Sequence, residues 1–388
     1  MDNNATTPVA PEVREAMQPF LAEDFGNASS IHWYGQRAKA AVETAREQLA
    51  ALLHARPNDL VFTSGGTEAD NMSILGGVDA AQGKDETKHL VVSAIEHHAV
   101  LHSAKSLERR GVAVTYVKAG ASGLVNPADV ERALRPNTVL VSVMLANNEI
   151  GTVQPLEEIG RITRERRVVF HTDAVQAVGK IPVDVEKLGV DLLSLSAHKL
   201  HGPKGVGALY VRKGVQIAPL FFGGHSERDR RPGTENTPGI VGLGKAAEIA
   251  SAKLAEDGPR LAALRDHLED TLLARIPQCS RNGAREPRLP STANIRFDHV
   301  DGEGFVIAAD LKGIACSTGA ACSSGSVEPS HVLSAIGLSN AQARSSIRFS
   351  LGRMTAAEDI DYALEVIPAV VERLRSVSPN FRAVTSVK

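Results

Sequence analysis

The stretch SLSAHKLHGPKGVG, residues 194–207, places a lysine where a lysine is chemically costly. The apolar run Asp191-Leu-Leu-Ser-Leu reads as a buried strand, and it stops at small residues followed by His198 and Lys199. An ammonium carried inward by a strand must pair, lose its proton or react, because desolvation disfavours the charged form. One use of such a lysine is to form a Schiff base with a carbonyl compound. The plain alternative is a solvated lysine in a hairpin, its turn built from Gly202, Pro203, Gly205 and Gly207 around the start of the next apolar run, 206–211.

Other residues with chemistry in them stand at similar places. Ser64-Gly-Gly-Thr-Glu-Ala-Asp-Asn follows the short apolar run 60–63 and opens a helical stretch to Leu75. A strand, a glycine turn and a helix start aim backbone N–H groups and the positive helix end at one point, which suits a phosphate. Gly65, Gly66 and Thr67 would form that cradle, although a helix cap by Thr67 fits the same residues. Glu96-His97-His98, Asn147-Asn148-Glu149 and His171-Thr172-Asp173 through Gln176 also close apolar runs. Each alone reads as a capped helix start or a satisfied loop group. Together with Ser196 through Lys199 they mark one end of a structure.

The elements that must position them follow from periodicity. Short apolar runs at 89–94, 112–117, 139–145, 168–171 and 192–195 are mostly separated by helical stretches such as 98–110 and 156–166. That alternation predicts βαβ units, hence an α/β fold whose mainly parallel sheet is flanked by helices. In such sheets the chemistry sits beyond the carboxyl ends of the strands, where the polar residues above fall. Ahead of them, Pro11 suits the first turn of a helix over 12–20, residues 25–35 read as a loop, and 36–54 as a helix. The long basic, glycine-containing stretch 221–239 reads as a functional or interface loop. A helical region from about 240 to 275 leads to a second, α+β part with strands at 293–297 and 346–351 and helices at 304–311 and 356–374.

Composition narrows the class. In 388 residues, 43 Lys and Arg face 45 Asp and Glu, and the net charge of −2 gives no field for nucleic acid or an anionic membrane. No apolar run reaches the roughly 20 residues that span a bilayer, and the first residues lack the basic and apolar regions of a signal peptide, so a cytoplasmic location is expected. Cys279, Cys316 and Cys322 are too few and too unevenly spaced for a disulfide framework or a four-cysteine zinc site. They read as buried or reactive thiols.

Read together, these parts are what a pyridoxal phosphate enzyme asks of its protein: a Schiff-base lysine, a carboxylate for the pyridine nitrogen, a ring stacker and a phosphate cup. The segments FTSGGTEADN, MLANNEIGTVQP, HTDAVQAVGK, SLSAHKLHGPKGVGALYVRKG, GGHSERDRRPGTENTPGIVGLGKAAE and SSIRFSLGR resemble, in order and over nearly the whole chain, the NifS/IscS-type cysteine desulfurases. The resemblance implies the type I, aspartate-aminotransferase-like pyridoxal phosphate fold. The expected division is a large cofactor domain over 13–255 and a small domain made of 1–12 and 256–388, carrying the loop around Cys322.

By the same resemblance Lys199 holds pyridoxal 5'-phosphate as a Schiff base and Asp173 faces the pyridine nitrogen. Gln176 bonds the phenolic oxygen, and His97 stacks on the ring and is a candidate for handling the substrate thiol's proton. Gly66, Thr67, Ser196 and His198 hold the phosphate, and Thr234 completes that cup from a neighbouring subunit, which implies a homodimer. Asn148 and Arg348 match contacts to the substrate carboxylate, a role for which the planar guanidinium fork is suited. Cys322 matches the thiol that takes sulfur from L-cysteine as a persulfide and passes it to an acceptor or iron–sulfur scaffold protein. Cys279 and Cys316 match no catalytic residue and read as structural. No metal is expected apart from an iron–sulfur cluster that the resemblance allows through the Cys322 persulfide.

The sequence departs from that pattern at three places. It begins at Asp2 where relatives usually carry a few more residues in a strand, Ser317-Thr-Gly-Ala-Ala replaces Ser-Ser-Gly-Ser-Ala, and His98 follows His97 without a role. Two other readings share the motifs. A selenocysteine lyase has the same fold and cofactor, but the Ser-Gly-Ser-Val-Glu-Pro-Ser-His continuation after Cys322 resembles the desulfurase loop more closely. A non-catalytic docking platform would have lost Lys199, Asp173 or Cys322, and all three are present.

Overall fold

Seven strands form the main sheet of the computed structural model, which describes residues 1–81, 87–318 and 329–378. They are β1 (Leu60–Thr63), β2 (His89–Ser93), β3 (Ala113–Val117), β4 (Thr138–Ser142), β5 (Val169–Asp173), β6 (Leu192–Ser196) and β7 (Gly207–Val211), in the order β1-β7-β6-β5-β4-β2-β3. From β6 to β3 every pairing is parallel, while β7 runs antiparallel to both β6 and β1. The reversal follows from chain length. Only ten residues separate Ser196 from its partner Gly207, too few for the crossover that a parallel pair needs.

β2, β6 and β7 are buried at every position because both faces of the sheet are covered. Alternate side chains serve alternate layers. Val91, Phe170, Leu193 and Leu195 enter one core with Val42 and Leu49 of the helix Trp33–Leu53 and Ile240 and Leu243 of the helix Thr237–Arg275. Leu90, Val92, Leu140 and Leu192 enter the opposite one with Met72, Val100 and Leu107.

A second, antiparallel sheet orders β10 (Ser317–Thr318), β11 (Ser346–Ser350), β9 (Thr292–Phe297) and β8 (Cys279–Arg281). It packs a separate core in which Phe297 stacks on Phe305 at 5.5 Å and Phe349 meets Phe305 edge-on at 6.1 Å. The first core also takes in Leu289, Val332, Leu333, Ile336 and Ala343 from the C-terminal part of the chain.

The α/β expectation holds, with differences at the margins. The helix expected from residue 36 begins at Trp33, because the His32 ring accepts from Gly35 N at 3.4 Å and caps it three residues early. The helical stretch after Gly66 contains a wider π turn at Met72–Gly76. The helices Pro127–Ala133, His331–Ala335 and Asn340–Arg344 and strand β8 are too short to show a period and were not expected. No helix among the described residues is long and apolar enough to cross a membrane.

Candidate active site

A cavity of about 260 Å³ opens beyond the carboxyl ends of the parallel strands, and each wall comes from a different connection. After β1 the chain turns through Gly65 at φ +154° into the helix start at Gly66 and Thr67, with no side-chain cap on the helix N–H groups. A Cβ on Gly66 would stand 2.7 Å from Val175 Cγ2, so the backbone is packed there as closely as glycine allows. After β6 a single 3₁₀ turn, Ala197–Lys199, brings Ser196, His198 and Lys199 to the same rim. Asp173 ends β5, with Gln176 in the turn that follows, and His97 lies beyond β2. Asn148 lies beyond β4, and Arg348 reaches in from β11 of the second sheet.

The electrostatics of these groups come mainly from burial. Asp173 is raised above the ordinary carboxylate range by burial, against the pull of the Val175 N–H (2.8 Å to Oδ1) and of Lys199. His97 is pushed down to about 4 by burial and then by the Lys199 ammonium, so it is neutral at pH 7. Its Nδ1 accepts from Ala99 N at 3.1 Å, which leaves the proton on Nε2. Behind it, Glu96 is pushed up to about 8 by burial, although Ser93 Oγ (2.5 Å) and Met144 N (2.6 Å) donate to its Oε1.

Three contributors went unread in the sequence. The first is the N-terminal segment: Lys199 Nζ donates to the carbonyls of Asn4 (2.5 Å) and Ala5 (2.8 Å), and both residues line the cavity. A main-chain carbonyl has no side-chain signature, so nothing in the sequence marks it. The second is Asp70, which lines the cavity with Oδ1 buried and without a hydrogen-bond partner, 3.6 Å from His171 Nε2. Its place in FTSGGTEADN was the available signal. The third is Lys180, whose Nζ donates to Gln176 Oε1 at 2.7 Å.

Ten of the residues singled out in the sequence therefore meet at one cavity: Gly66, Thr67, His97, Asn148, Asp173, Gln176, Ser196, His198, Lys199 and Arg348. Thr234 does not. It is exposed and lines a different cavity, of about 790 Å³, with Arg46, His225 and Glu227. Cys322 lies outside the described residues. Cys316 is buried, its thiol pushed up to about 12, and Cys279 is half-buried and also raised, both by desolvation, so neither offers a ready thiolate.

The set fits pyridoxal phosphate. The lining offers hydroxyl, imidazole and uncapped helix N–H donors for a phosphate, a buried carboxylate and a lysine amine. Among the described residues no group of three or more His, Cys, Asp or Glu could hold a metal ion.

Comparison with known proteins gives concordant results. The family model described as aminotransferase class-V matches residues 1–363. A cysteine desulfurase IscS of Methanosarcina thermophila is 52% identical over 379 residues, spanning 98% of this chain and 93% of that protein. A solved structure described as a NifS-like protein superposes with a TM-score of 0.90 at 39% identity, covering 96% of this chain and 99% of that one. Another, SspA in complex with cysteine, gives a TM-score of 0.80 at 40% identity over 90% of this chain and 97% of its own.

Proposed function

The chain belongs to the aminotransferase class-V family, and we propose that it works as a pyridoxal phosphate-dependent cysteine desulfurase, with Lys199 as the imine-forming amine and Cys322 as the sulfur acceptor. The observation that carries this reading is the convergence of Lys199, Asp173, His97, Gln176 and Arg348, from two sheets, on one cavity. Gly66, Thr67, Ser196 and His198 would hold the phosphate, Asp173 the pyridine nitrogen, Gln176 the phenolic oxygen and His97 the ring face. When bound, pyridoxal phosphate supplies the electron sink that takes up the electron pair of the substrate's Cα–H bond.

The protein's own groups do the rest. Arg348 has its Nε buried without a partner, a donor left for the carboxylate of L-cysteine beside Asn148. Lys199, once freed of the cofactor, is the amine placed to take the Cα proton and return it. The Cys322 thiolate attacks the substrate sulfur, so the Cβ–S bond breaks as the S–S bond forms. L-Cysteine becomes L-alanine and the enzyme thiol becomes a persulfide, with one sulfur atom moved and no external oxidant. The persulfide then passes to an acceptor or iron–sulfur scaffold protein.

Thr234 lines a cavity of its own, which supports a homodimer in which it serves the neighbouring subunit's phosphate cup. The half-buried and buried free thiols of Cys279 and Cys316 suit a reducing, cytoplasmic setting.

The test is to load the purified protein with pyridoxal phosphate, record its visible spectrum and add L-cysteine with a reductant, assaying alanine and sulfide. Cys322→Ala should keep the cofactor colour and lose turnover, whereas Lys199→Ala should lose the lysine-bound cofactor band. Unchanged turnover in Cys322→Ala would refute the acceptor assignment, and a wide preference for L-selenocysteine would make the protein a selenocysteine lyase.

A further inference from the structure

Lys180 closes the turn that begins at Asp173, and it is a lysine that the proposed reaction does not use. Its Nζ donates to Gln176 Oε1 at 2.7 Å and to Asn4 Oδ1 at 3.1 Å, while Gln176 Nε2 donates to Asn4 O at 2.9 Å. Lys180 does not itself line the cavity, but Gln176 and Asn4 do. Burial pushes its ammonium down to about 7, helped by Lys199 and Arg348, and Lys180 in turn lowers His198 and His201.

The geometry has one chemical consequence. A primary amide has an accepting oxygen at one end and two N–H donors at the other, and an ammonium, the form Lys180 keeps below about pH 7, can only donate. With Lys180 on Oε1, the amide cannot turn over without setting its NH₂ against the three N–H groups of the lysine. One Nε2 hydrogen is used on Asn4 O, which leaves the second for an acceptor in the cavity.

We propose that Lys180 is a positioning residue that locks the Gln176 amide with its N–H end toward the cavity, so that the site presents a donor and not an acceptor to the cofactor's phenolic oxygen. This rests on the cofactor reading above. A donor held at the phenolic oxygen stabilises its negative charge, and that charge is most fully developed when the adjoining lysine imine has lost its proton. The locked amide therefore makes the imine a stronger acid.

The experiment is a pH titration of the visible absorption of the pyridoxal phosphate-loaded protein without substrate, together with the cofactor dissociation constant of the apo protein. Lys180→Met removes the donor and keeps the methylenes. The titration midpoint should rise by about one unit, a tenfold change in acid strength. Loss of a positive charge alone would also raise it, so the deciding variant is Lys180→Met in a Gln176→Leu background. If the lysine acts through the amide, the double variant titrates like Gln176→Leu alone. An equal rise in both backgrounds would refute the assignment and leave only a charge effect.

Lys180→Gln, which can still donate to Oε1 but carries no charge, gives an independent test should Lys180→Met fail to fold. A midpoint near that of the unsubstituted protein supports the lock, and a rise of a full unit overturns it. Unsubstituted protein that takes up no pyridoxal phosphate overturns both this inference and the cofactor reading. Normal uptake with unmoved midpoints in all the Lys180 variants overturns the inference alone.

Discussion

Replacing Arg348 by lysine tests the substrate site through a single fork. Arg348 is buried in β11, donating from Nη1 to Asn148 O at 3.2 Å and from Nη2 to Asp2 Oδ1 at 2.9 Å, with Nε unpartnered. An incoming carboxylate can take two parallel bonds, from Nε and from an Nη released by the more exposed Asp2. Lysine offers one point charge and no fork. The loss is then one hydrogen bond to a charged group, about 1.5–3 kcal/mol, which corresponds to roughly a 10- to 100-fold fall in kcat/KM. Because the carboxylate is bound equally before and during the chemistry, most of the fall should appear as a raised KM. Alanine production against L-cysteine concentration measures it, with the cofactor spectrum confirming that the site is intact. Asp2→Ala is the control: it removes the competitor for the fork, so KM should hold or fall. A kcat/KM for Arg348→Lys within threefold of the unsubstituted protein, or a loss confined to kcat, would refute the carboxylate role.

Two further outcomes follow from burial and from close backbone packing. Glu96 is raised from 4.5 to about 8, and Glu149 to about 7, both by burial, so the folded protein keeps these protons where the unfolded chain has lost them. Their contribution is therefore complete below about pH 4.5 and declines as pH rises through 4.5–8, at about 1.4 kcal/mol per unit for each group. Because His89, His97, His171 and His198, which burial pushes down, act in the opposite sense below pH 6.5, the readout is the difference between Glu96→Gln and the unsubstituted apo protein: the gap in thermal midpoint should move in favour of the Gln variant from pH 5 to 8, and an unchanged gap would remove Glu96 as a cause. Gly207→Ala would put a Cβ 2.5 Å from Leu195 O and 2.7 Å from Gly65 Cα, two backbone atoms that cannot yield independently. A loss of about 1–3 kcal/mol and weaker cofactor retention are expected, since Gly65 adjoins Gly66 and Thr67, the residues proposed to hold the phosphate, and a thermal shift assay reads the first.

The parallel sheet was legible because strands buried on both faces must be continuous apolar runs, and β2, β4 and β6 could be bounded to within a few residues on that ground alone. Polar residues closing such runs were legible as a site for the same reason: Asp173 and Ser196 end strands, and the sheet leaves them nowhere to point but the rim. What stayed hidden depends on contacts between distant parts of the chain. Asn4 acts through a carbonyl, Lys180 through another residue's amide, and the carboxylates of Asp70 and Glu96 are unusual only because burial raises them. The reversed direction of β7 was implicit in the ten-residue connection, but periodicity carries no direction.

The dependence on the first residues of the chain goes further than a missed contact. Asp2 pairs with Ser350 at the edge of β11 and bonds Arg348, the arginine assigned to the substrate. Asn4 Nδ2 donates to Thr292 Oγ1 in the second sheet and to Asn148 O beside the cavity, while its carbonyl takes Lys199 and Gln176 from the first. Thr7 binds the carbonyl of His198 through both its backbone N–H and its hydroxyl. Arg348 belongs to the second sheet and Lys199 follows β6 of the first, and the two sheets pack separate cores. This strap helps tie them together, passing from Asp2 and Asn3 on the second sheet through Asn4, which bonds both, to Ala5, Thr6 and Thr7 on the Lys199 side. The order in which Asp2, Asn4 and Thr7 reach Arg348, Lys199 and His198 makes the N-terminal segment part of the site's geometry, as much as the strand ends that carry the reactive groups.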